Sequence, residues 1–158
     1  VSQSILAQLG FGQADLLVTP MRMALVGATI ASGGTTPRPY LARSLRASNG
    51  RSRSLASNAS LATPISSDVA AQVKVLMEAC VARGTGTAAQ IKGVKVAGKT
   101  GTATLATGRP HAWFVAFAPS GAPRVAVAVV VEHAGYGGAI SAPIARQVLI
   151  AALKRIKT

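Results

Sequence analysis

The residues best suited to chemistry lie in one short stretch, Val96 to Ala103, which reads Val-Ala-Gly-Lys-Thr-Gly-Thr-Ala. Its apolar flanks favour a β-strand, in which Thr100 and Thr102 share one face and Lys99 points to the other. Gly101 has no side chain, so a bound molecule can approach the backbone closely. Two hydroxyls, an ammonium and open backbone suit an anionic ligand that lies along the strand edge.

The same stretch also matches the pattern of a phosphate-binding loop. Gly93 to Thr100 fits Gly-x-x-x-x-Gly-Lys-Ser/Thr letter for letter. Such a loop needs a helix that begins at its lysine, but glycines, threonines and a proline follow Lys99 and disfavour a helix. Because the letters match but the context does not, a P-loop nucleotide-binding protein is the alternative function rather than the main one. A non-catalytic basic binding module is a further alternative.

Four blocks of sequence, in order along the chain, resemble class B penicillin-binding proteins. Residues 12–24, which read Gly-Gln-Ala-Asp-Leu-Leu-Val-Thr-Pro-Met-Arg-Met-Ala, are similar to a Gly-Gln-Gly-Asp…Thr-Pro…Met-Ala stretch of that family. Residues 99–102 look like the Lys-Thr-Gly element of penicillin-binding proteins and serine β-lactamases. Residues 111–119 resemble the strand that follows this element, and Gly-Tyr-Gly-Gly at 135–138 leads into the last helix as in the family. The similarity covers about Gly12 to about Leu153, nearly the whole chain.

This resemblance implies a fold, an activity and roles for the site residues. The fold is α/β (α+β), with antiparallel strands that carry Lys-Thr-Gly packed against helices. The activity is that of a D,D-transpeptidase, a serine acyltransferase without cofactor that cross-links peptidoglycan stem peptides and is acylated by β-lactam antibiotics. Lys99 and Thr102 are implied to be catalytic, since Lys99 would supply positive charge and the Thr102 N–H would be an oxyanion donor. The Thr100 and Thr102 hydroxyls would hold a carboxylate, and Gly101 would let the ligand lie along the strand.

The chain departs from the family pattern in the motifs that it lacks. The family nucleophile is a serine followed three residues later by lysine, and no serine here has lysine at that position. The Ser-x-Asn motif is also absent, because neither Asn49 nor Asn58 has serine two residues before it. We therefore predict that residues 1–158 are the C-terminal portion of a single transpeptidase domain. Its N-terminal portion would carry the nucleophile, with a membrane anchor outside this chain and the domain at the extracytoplasmic face of the bacterial cell membrane.

Composition limits the kinds of partner. Lysine and arginine number 17 against 4 acidic residues, which gives a formal charge of +13. Aromatic residues make up only 4% and are not interleaved with the basic ones, which argues against nucleic acid as a partner. Basic residues cluster at Arg43, Arg46, Arg51 and Arg53, and a basic face would suit an anionic cell-envelope polymer or anionic lipid headgroups. Cys80 is the sole cysteine, so no disulfide forms within the chain.

Caps and hydrophobic periodicity predict the elements that position the site. The predicted elements are a helix over 19–33, a mobile surface loop over 43–63 with room for a short strand, a helix over 67–83, three antiparallel strands over 95–132 and a C-terminal helix over 141–157. The third strand, over 124–132, is almost entirely valine and alanine, so we expect it to be buried on both faces.

The remaining polar residues of interest are predicted to be structural. Asp15 suits a turn or cap. His111 is expected to cap a strand end near the site and His133 to end the third strand, because no serine pairs with either histidine in a recognisable nucleophile elbow. No group of histidine, cysteine, aspartate and glutamate has the spacing of a metal site, so none is predicted.

Overall fold

The computed structural model describes residues 2–10, 12–13, 16–56 and 59–156. The described helices are α1 (Gln3–Gly10), α2 (Pro20–Ala31), α3 (Ser67–Arg83) and α4 (Ser141–Ile156), with a short 3-10 helix at Thr87–Ala89. The described strands are β1 (Thr36–Pro37), β2 (Ser44–Arg46), β3 (Ser52–Ser54), β4 (Ser60–Ala62), β5 (Ala97–Ala103), β6 (His111–Ala118) and β7 (Val125–Val131). The cap predicted at Asp15 lies outside the described residues. Within those ranges, no helix combines the length and the hydropathy needed to cross a bilayer.

A three-stranded antiparallel sheet, in the order β5-β6-β7, forms the centre of the fold. The register runs along the strands without interruption, with Lys99 opposite Val115 and Val115 opposite Ala128. Short connections between the strands favour this antiparallel arrangement of neighbours. The fold class predicted from the sequence, antiparallel strands packed against helices, is therefore what the structure shows.

The largest core cluster lies between β6 and α4. Phe114 and Ala116 of β6 are completely buried and pack with Leu149 of α4, which is also completely buried. A smaller cluster on the other face of β6 joins Phe117 to Met77 of α3. Full burial of one such large apolar side chain stabilises the fold by about 1.5–3 kcal/mol, so these contacts hold the sheet between its helices.

Hydrogen bonds at the helix starts explain where the helices begin. The Thr19 hydroxyl accepts from the N–H of Arg22 at 3.2 Å, and the Ser66 hydroxyl accepts from the N–H of Val69 at 3.3 Å. These are the N-cap contacts expected of serine and threonine. At the start of α4, the buried hydroxyl of Ser141 donates to the carbonyl of Ala112 at 2.8 Å, which ties the helix to β6.

The third strand, β7, is less buried than predicted. All seven of its residues are half-buried, so the expectation that it is buried on both faces is wrong. Helices α2 and α4 both contact β7, but among the described residues β7 pairs only with β6. Its apolar composition therefore reflects an edge strand covered by two helices, and composition alone does not distinguish such a strand from one that is buried on both faces.

The segment predicted as a loop over 43–63 contains more regular structure than expected. Strands β2 and β3 pair as an antiparallel hairpin, and β4 pairs with the short strand β1. Where the sequence predicted a mobile loop with room for a short strand, the described residues of this segment form three short strands. Every residue of the three strands is exposed, so no alternation of apolar and polar residues marks them in the sequence.

Candidate functional site

The residues singled out by sequence lie on β5, whose outer edge no other strand covers in the described part of the chain. Two contacts show which backbone groups point outward. The ammonium of Lys99 donates to the carbonyl of Thr100 at 2.7 Å, and the side-chain amide of Gln13 donates to the carbonyl of Thr102 at 3.1 Å. These carbonyls therefore point away from β6, and an extended peptide could pair with them as an added strand.

Lys99 is exposed and sits in the middle of the uninterrupted register of β5. Because side chains alternate along a strand, the Lys99 side chain leaves the backbone on the face opposite Thr100 and Thr102, as predicted. The long side chain then turns back, so that its ammonium lies at the carbonyl of Thr100. The positive charge is thus placed beside the open strand edge, where an anionic ligand would lie.

A pair of hydroxyl groups with no signal in the local sequence lies next to the strand. The Oγ1 atoms of Thr85 and Thr100 are 2.7 Å apart, which is the distance of a hydroxyl–hydroxyl hydrogen bond. Thr85 directly follows Gly84, the C-cap residue of α3, and the Cys80 sulfur lies 3.6 Å from the Thr85 hydroxyl. Nothing in the local sequence around Thr85 indicates that the fold brings it to Thr100.

The loop at residues 135–138 closes one side of the site. A Cβ atom on Gly137 would lie 2.0 Å from the carbonyl oxygen of Trp113, and one on Gly138 would lie 2.3 Å from the carbonyl oxygen of Thr85. Only glycine therefore allows the loop to approach the strand so closely. The loop and the strand enclose a hollow of about 340 Å³ lined by Thr85, Thr100, Thr102, Tyr136, Gly137, Gly138 and Ala139.

The two histidines contact each other at the edge of the sheet where β5 ends and β6 begins. Nδ1 of His111 accepts a hydrogen bond from the backbone N–H of His133 at 3.0 Å, and the rings meet edge to face with centroids 4.8 Å apart. His111 lies opposite Ala103, the last residue of β5. The histidine pair thus links the end of β6 to the residues after β7, in agreement with the structural role predicted for His111.

An ion pair holds α3 to the segment that leads into β5. Lys95 and Glu78 form this pair, in which the carboxylate side chain is largely buried and the lysine is largely exposed. Burial acts to raise the pKa of Glu78, but the hydrogen bond from Lys95, the neighbouring hydroxyl of Ser120 and the charges of Lys95 and Lys74 together outweigh it. The pKa of Glu78 is therefore lowered from its ordinary value.

The structure contradicts the alternative of a phosphate-binding loop. That site needs its lysine at the start of a helix. Lys99 is instead the third residue of strand β5, and no helix begins there. The chain's described residues contain no group of three or more histidine, cysteine, aspartate or glutamate side chains that could hold a metal ion.

The Lys-Thr-Gly-Thr residues thus lie on an edge strand of an antiparallel sheet flanked by helices, as the resemblance to penicillin-binding proteins implied. The family model "Penicillin binding protein transpeptidase domain" matches residues 2–150, and the chain belongs to this family. The peptidoglycan D,D-transpeptidase PbpA of Mycobacterium tuberculosis is 42% identical over 160 residues, which cover 94% of this chain and 32% of that protein.

Solved structures agree with this assignment. Penicillin-binding protein A from M. tuberculosis, in its ceftriaxone acyl-enzyme complex, superposes with a TM-score of 0.89 at 40% identity and covers 96% of this chain. The D,D-transpeptidase domain of a peptidoglycan glycosyltransferase from Eggerthella lenta superposes with a TM-score of 0.79 at 41% identity and covers 87% of this chain. The present chain spans only 36% and 32% of these two structures. The predicted family and fold are confirmed.

Proposed function

We propose that this chain forms the substrate-binding wall of a peptidoglycan D,D-transpeptidase, a serine acyltransferase that cross-links stem peptides and is acylated by β-lactams. The observation that carries the proposal is the open edge of β5, where Lys99, Thr100 and Thr102 present a cation, hydroxyls and backbone groups together. The similar penicillin-binding protein A forms acyl-enzymes with ceftriaxone, imipenem and penicillin G, which supports a β-lactam-reactive site.

The backbone of Thr102 is suited to stabilise an oxyanion. Within an antiparallel strand, the N–H and C=O of one residue point to the same side. The Thr102 carbonyl points to the open edge, where it accepts from Gln13, so its N–H also points there. This N–H would donate to the developing oxyanion, while the amide N–H of a bound peptide would replace Gln13 at the carbonyl.

The side chains of the same strand are suited to bind a carboxylate. A hydroxyl has one proton to donate. If Thr85 donates to Thr100, the Thr100 proton is free for the carboxylate of a stem peptide or a β-lactam. The exposed ammonium of Lys99 adds a positive charge at the edge, and the Thr102 hydroxyl lines the same hollow. Gly101 leaves the backbone between these groups open to the ligand, as the resemblance to the family implied.

The nucleophile of the proposed enzyme is supplied by another portion of the same polypeptide. The chain spans about a third of its relatives, and no serine in it has lysine three residues later. The half-buried edge of β7 and the exposed apolar side chains of Met21 and Val26 on α2 provide a surface for that N-terminal portion. Because peptidoglycan is the proposed substrate, we also propose that the enzyme acts at the extracytoplasmic face of the bacterial cell membrane.

Labelling with a fluorescent penicillin tests this proposal. The complete protein should form a covalent adduct, and this chain expressed alone should not. When the N-terminal portion and this chain are produced together as two polypeptides, the label should appear on the N-terminal polypeptide. A stable adduct on this chain would contradict the division of catalytic groups, and an unlabelled complete protein would overturn the function.

A further inference from the structure

The hairpin formed by β2 and β3 has a well-defined register. Leu45 lies opposite Arg53, and Ser44 lies opposite Ser54. Two backbone hydrogen bonds extend this register beyond the strands. The N–H of Ala47 donates to the carbonyl of Arg51 at 2.9 Å, and the N–H of Leu55 donates to that of Arg43 at 2.9 Å. We name residues 43–55 the arginine hairpin.

The register gives the arginine hairpin two chemically different faces, because opposite residues share a face and neighbours alternate. One face, the arginine–leucine face, contains Arg43, Leu45, Ala47, Arg51, Arg53 and Leu55. The other face contains Ser44, Arg46, Ser52 and Ser54. Three of the four arginines and both leucines are therefore on the same side, whereas the serines occupy the other.

Neither face of the arginine hairpin is covered by the described chain. All residues from Pro37 to Leu55 are exposed, and the exposed fraction is 56% for Leu45 and 37% for Leu55. No acidic residue occurs between Leu16 and Ser67, so no nearby carboxylate in the sequence neutralises these arginines. A two-stranded hairpin with both faces in water is only marginally stable, so a contacting surface would add to its stability.

The composition of the arginine–leucine face favours an anionic bilayer over a soluble polyanion. Guanidinium groups bind phosphate through two parallel hydrogen bonds. A bilayer and a soluble polyanion can both supply phosphate, so the arginines alone do not distinguish them. The leucines distinguish the two partners, because they would leave water at a lipid interface and gain nothing from a hydrated polymer chain. Tyr40 and Leu41, which precede the hairpin and are 52% and 106% exposed, extend the apolar surface.

We propose that the arginine–leucine face docks on the surface of a membrane that contains anionic phospholipids. The guanidinium groups bind lipid phosphates, and the side chains of Leu45 and Leu55 insert between the headgroups. This role goes beyond the proposed acyl transfer, since it uses none of the residues of β5. It orients the domain at the lipid surface and does not depend on which reaction the enzyme catalyses.

Hydrogen–deuterium exchange on the complete polypeptide tests the docking. The protein is placed with vesicles of phosphatidylcholine alone and of phosphatidylcholine mixed with phosphatidylglycerol. Amides of residues 43–55 should be protected only by the anionic vesicles, and added salt should reduce this protection. Equal exchange with both kinds of vesicle would overturn the proposal, and because this comparison uses the unaltered protein, it does not depend on how any variant folds.

Charge variants assign the effect to one face. The triple variant Arg43→Gln, Arg51→Gln and Arg53→Gln should weaken binding to anionic vesicles about a hundredfold. The control variant Arg46→Gln, Arg83→Gln and Arg124→Gln removes the same amount of charge from the opposite face of the hairpin and from outside it. This control should bind anionic vesicles nearly as well as the unaltered protein does. Equal losses in both variants would show that net charge, rather than this face, binds the lipid. Exchange without lipid shows whether each variant retains the hairpin.

Leucine variants separate a bilayer from a polyanion. Replacing Leu45 and Leu55 by serine should weaken vesicle binding about tenfold. An unchanged affinity would contradict insertion, as would protection of the same amides by soluble polyphosphate but not by vesicles. Penicillin labelling should be the same in all these variants, so a failed docking result leaves the proposed acyl transfer intact, and a failed labelling result leaves the docking intact.

Discussion

The central sheet and the arginine hairpin are both antiparallel, but they differ in what stabilises them. Six of the eight residues of β6 are buried, whereas every residue of β2 and β3 is exposed. The sheet is held by apolar burial between helices, and the hairpin has only its backbone pairing. Antiparallel pairing thus serves two purposes in this molecule. In the central sheet it forms a rigid support for the site, and in the arginine hairpin it forms an exposed surface that can contact a partner.

Strand β5 is buried at one end and open at the other within seven residues. Its first two residues, Ala97 and Gly98, are buried, whereas Lys99 is exposed and the residues after it are half-buried. One end of the strand thus belongs to the core and the rest belongs to the site. Substitutions in the core should alter stability, those at the open edge should alter acylation, and those in the hairpin should alter neither.

The largest expected effect tests the core against the hairpin. Phe114→Ala removes a completely buried ring and leaves a cavity, so it should lower the free energy of unfolding by about 3–5 kcal/mol. Leu45→Ala in the hairpin should change it by no more than about 0.5 kcal/mol. Urea-induced unfolding of the complete protein measures both values, and similar losses in the two variants would remove the distinction between the regions.

The next effect tests whether the edge of β5 serves chemistry rather than stability. Lys99→Ala should lower the rate of acylation by a labelled penicillin about 10²–10³-fold, because a preorganised charge is lost from the site. The free energy of unfolding should change by no more than about 0.5 kcal/mol, since Lys99 is exposed. Lys92→Ala, at another exposed lysine, is the matched control and should acylate normally. A normal acylation rate in Lys99→Ala would exclude Lys99 from the site.

A smaller effect is expected for Thr85, which acts on the site through Thr100. Thr85→Val removes the hydroxyl 2.7 Å from Thr100, and the loss of one neutral hydrogen bond should slow acylation about tenfold. Thr85→Ser should restore the rate. A penicillin whose carboxylate is esterified should react equally with all three proteins. If Thr85→Val slowed the ester as much as the acid, Thr85 would have a general structural role instead of positioning the carboxylate ligand.

Local signals explain which parts of this molecule could be predicted from sequence. The Lys-Thr-Gly strand follows from apolar residues around glycines, and Ser66 with Asp68 marks the start of α3, whose bounds agree with the predicted helix. Thr85 is separated from Thr100 by fifteen residues, and only the turn after α3 brings them together. The half-burial of β7 follows from its place at the edge of the described sheet, which its valines and alanines do not reveal. The hairpin strands have no buried face, so their sequence shows no alternating pattern.

The smallest effect concerns the ion pair that joins α3 to the start of β5, between the core and the site. Lys95→Ala should lower the free energy of unfolding by about 0.2–1 kcal/mol at neutral pH, because Lys95 is largely exposed. The pKa of Glu78 is lowered in the folded protein, so its stabilisation is present above the pKa of the unfolded state and is lost as the pH falls through the folded pKa.

The difference between Lys95→Ala and the unaltered protein should therefore shrink as the solution is acidified and as salt is added. Glu78→Gln should remove most of the effect of Lys95→Ala in a double-mutant cycle, and Lys92→Ala should show no such dependence. A difference that stayed constant through the acid range would mean that Lys95 contributes packing of its aliphatic stem rather than charge. Acylation should be unchanged in Lys95→Ala, since this pair fixes the beginning of β5 and the chemistry depends on its open edge.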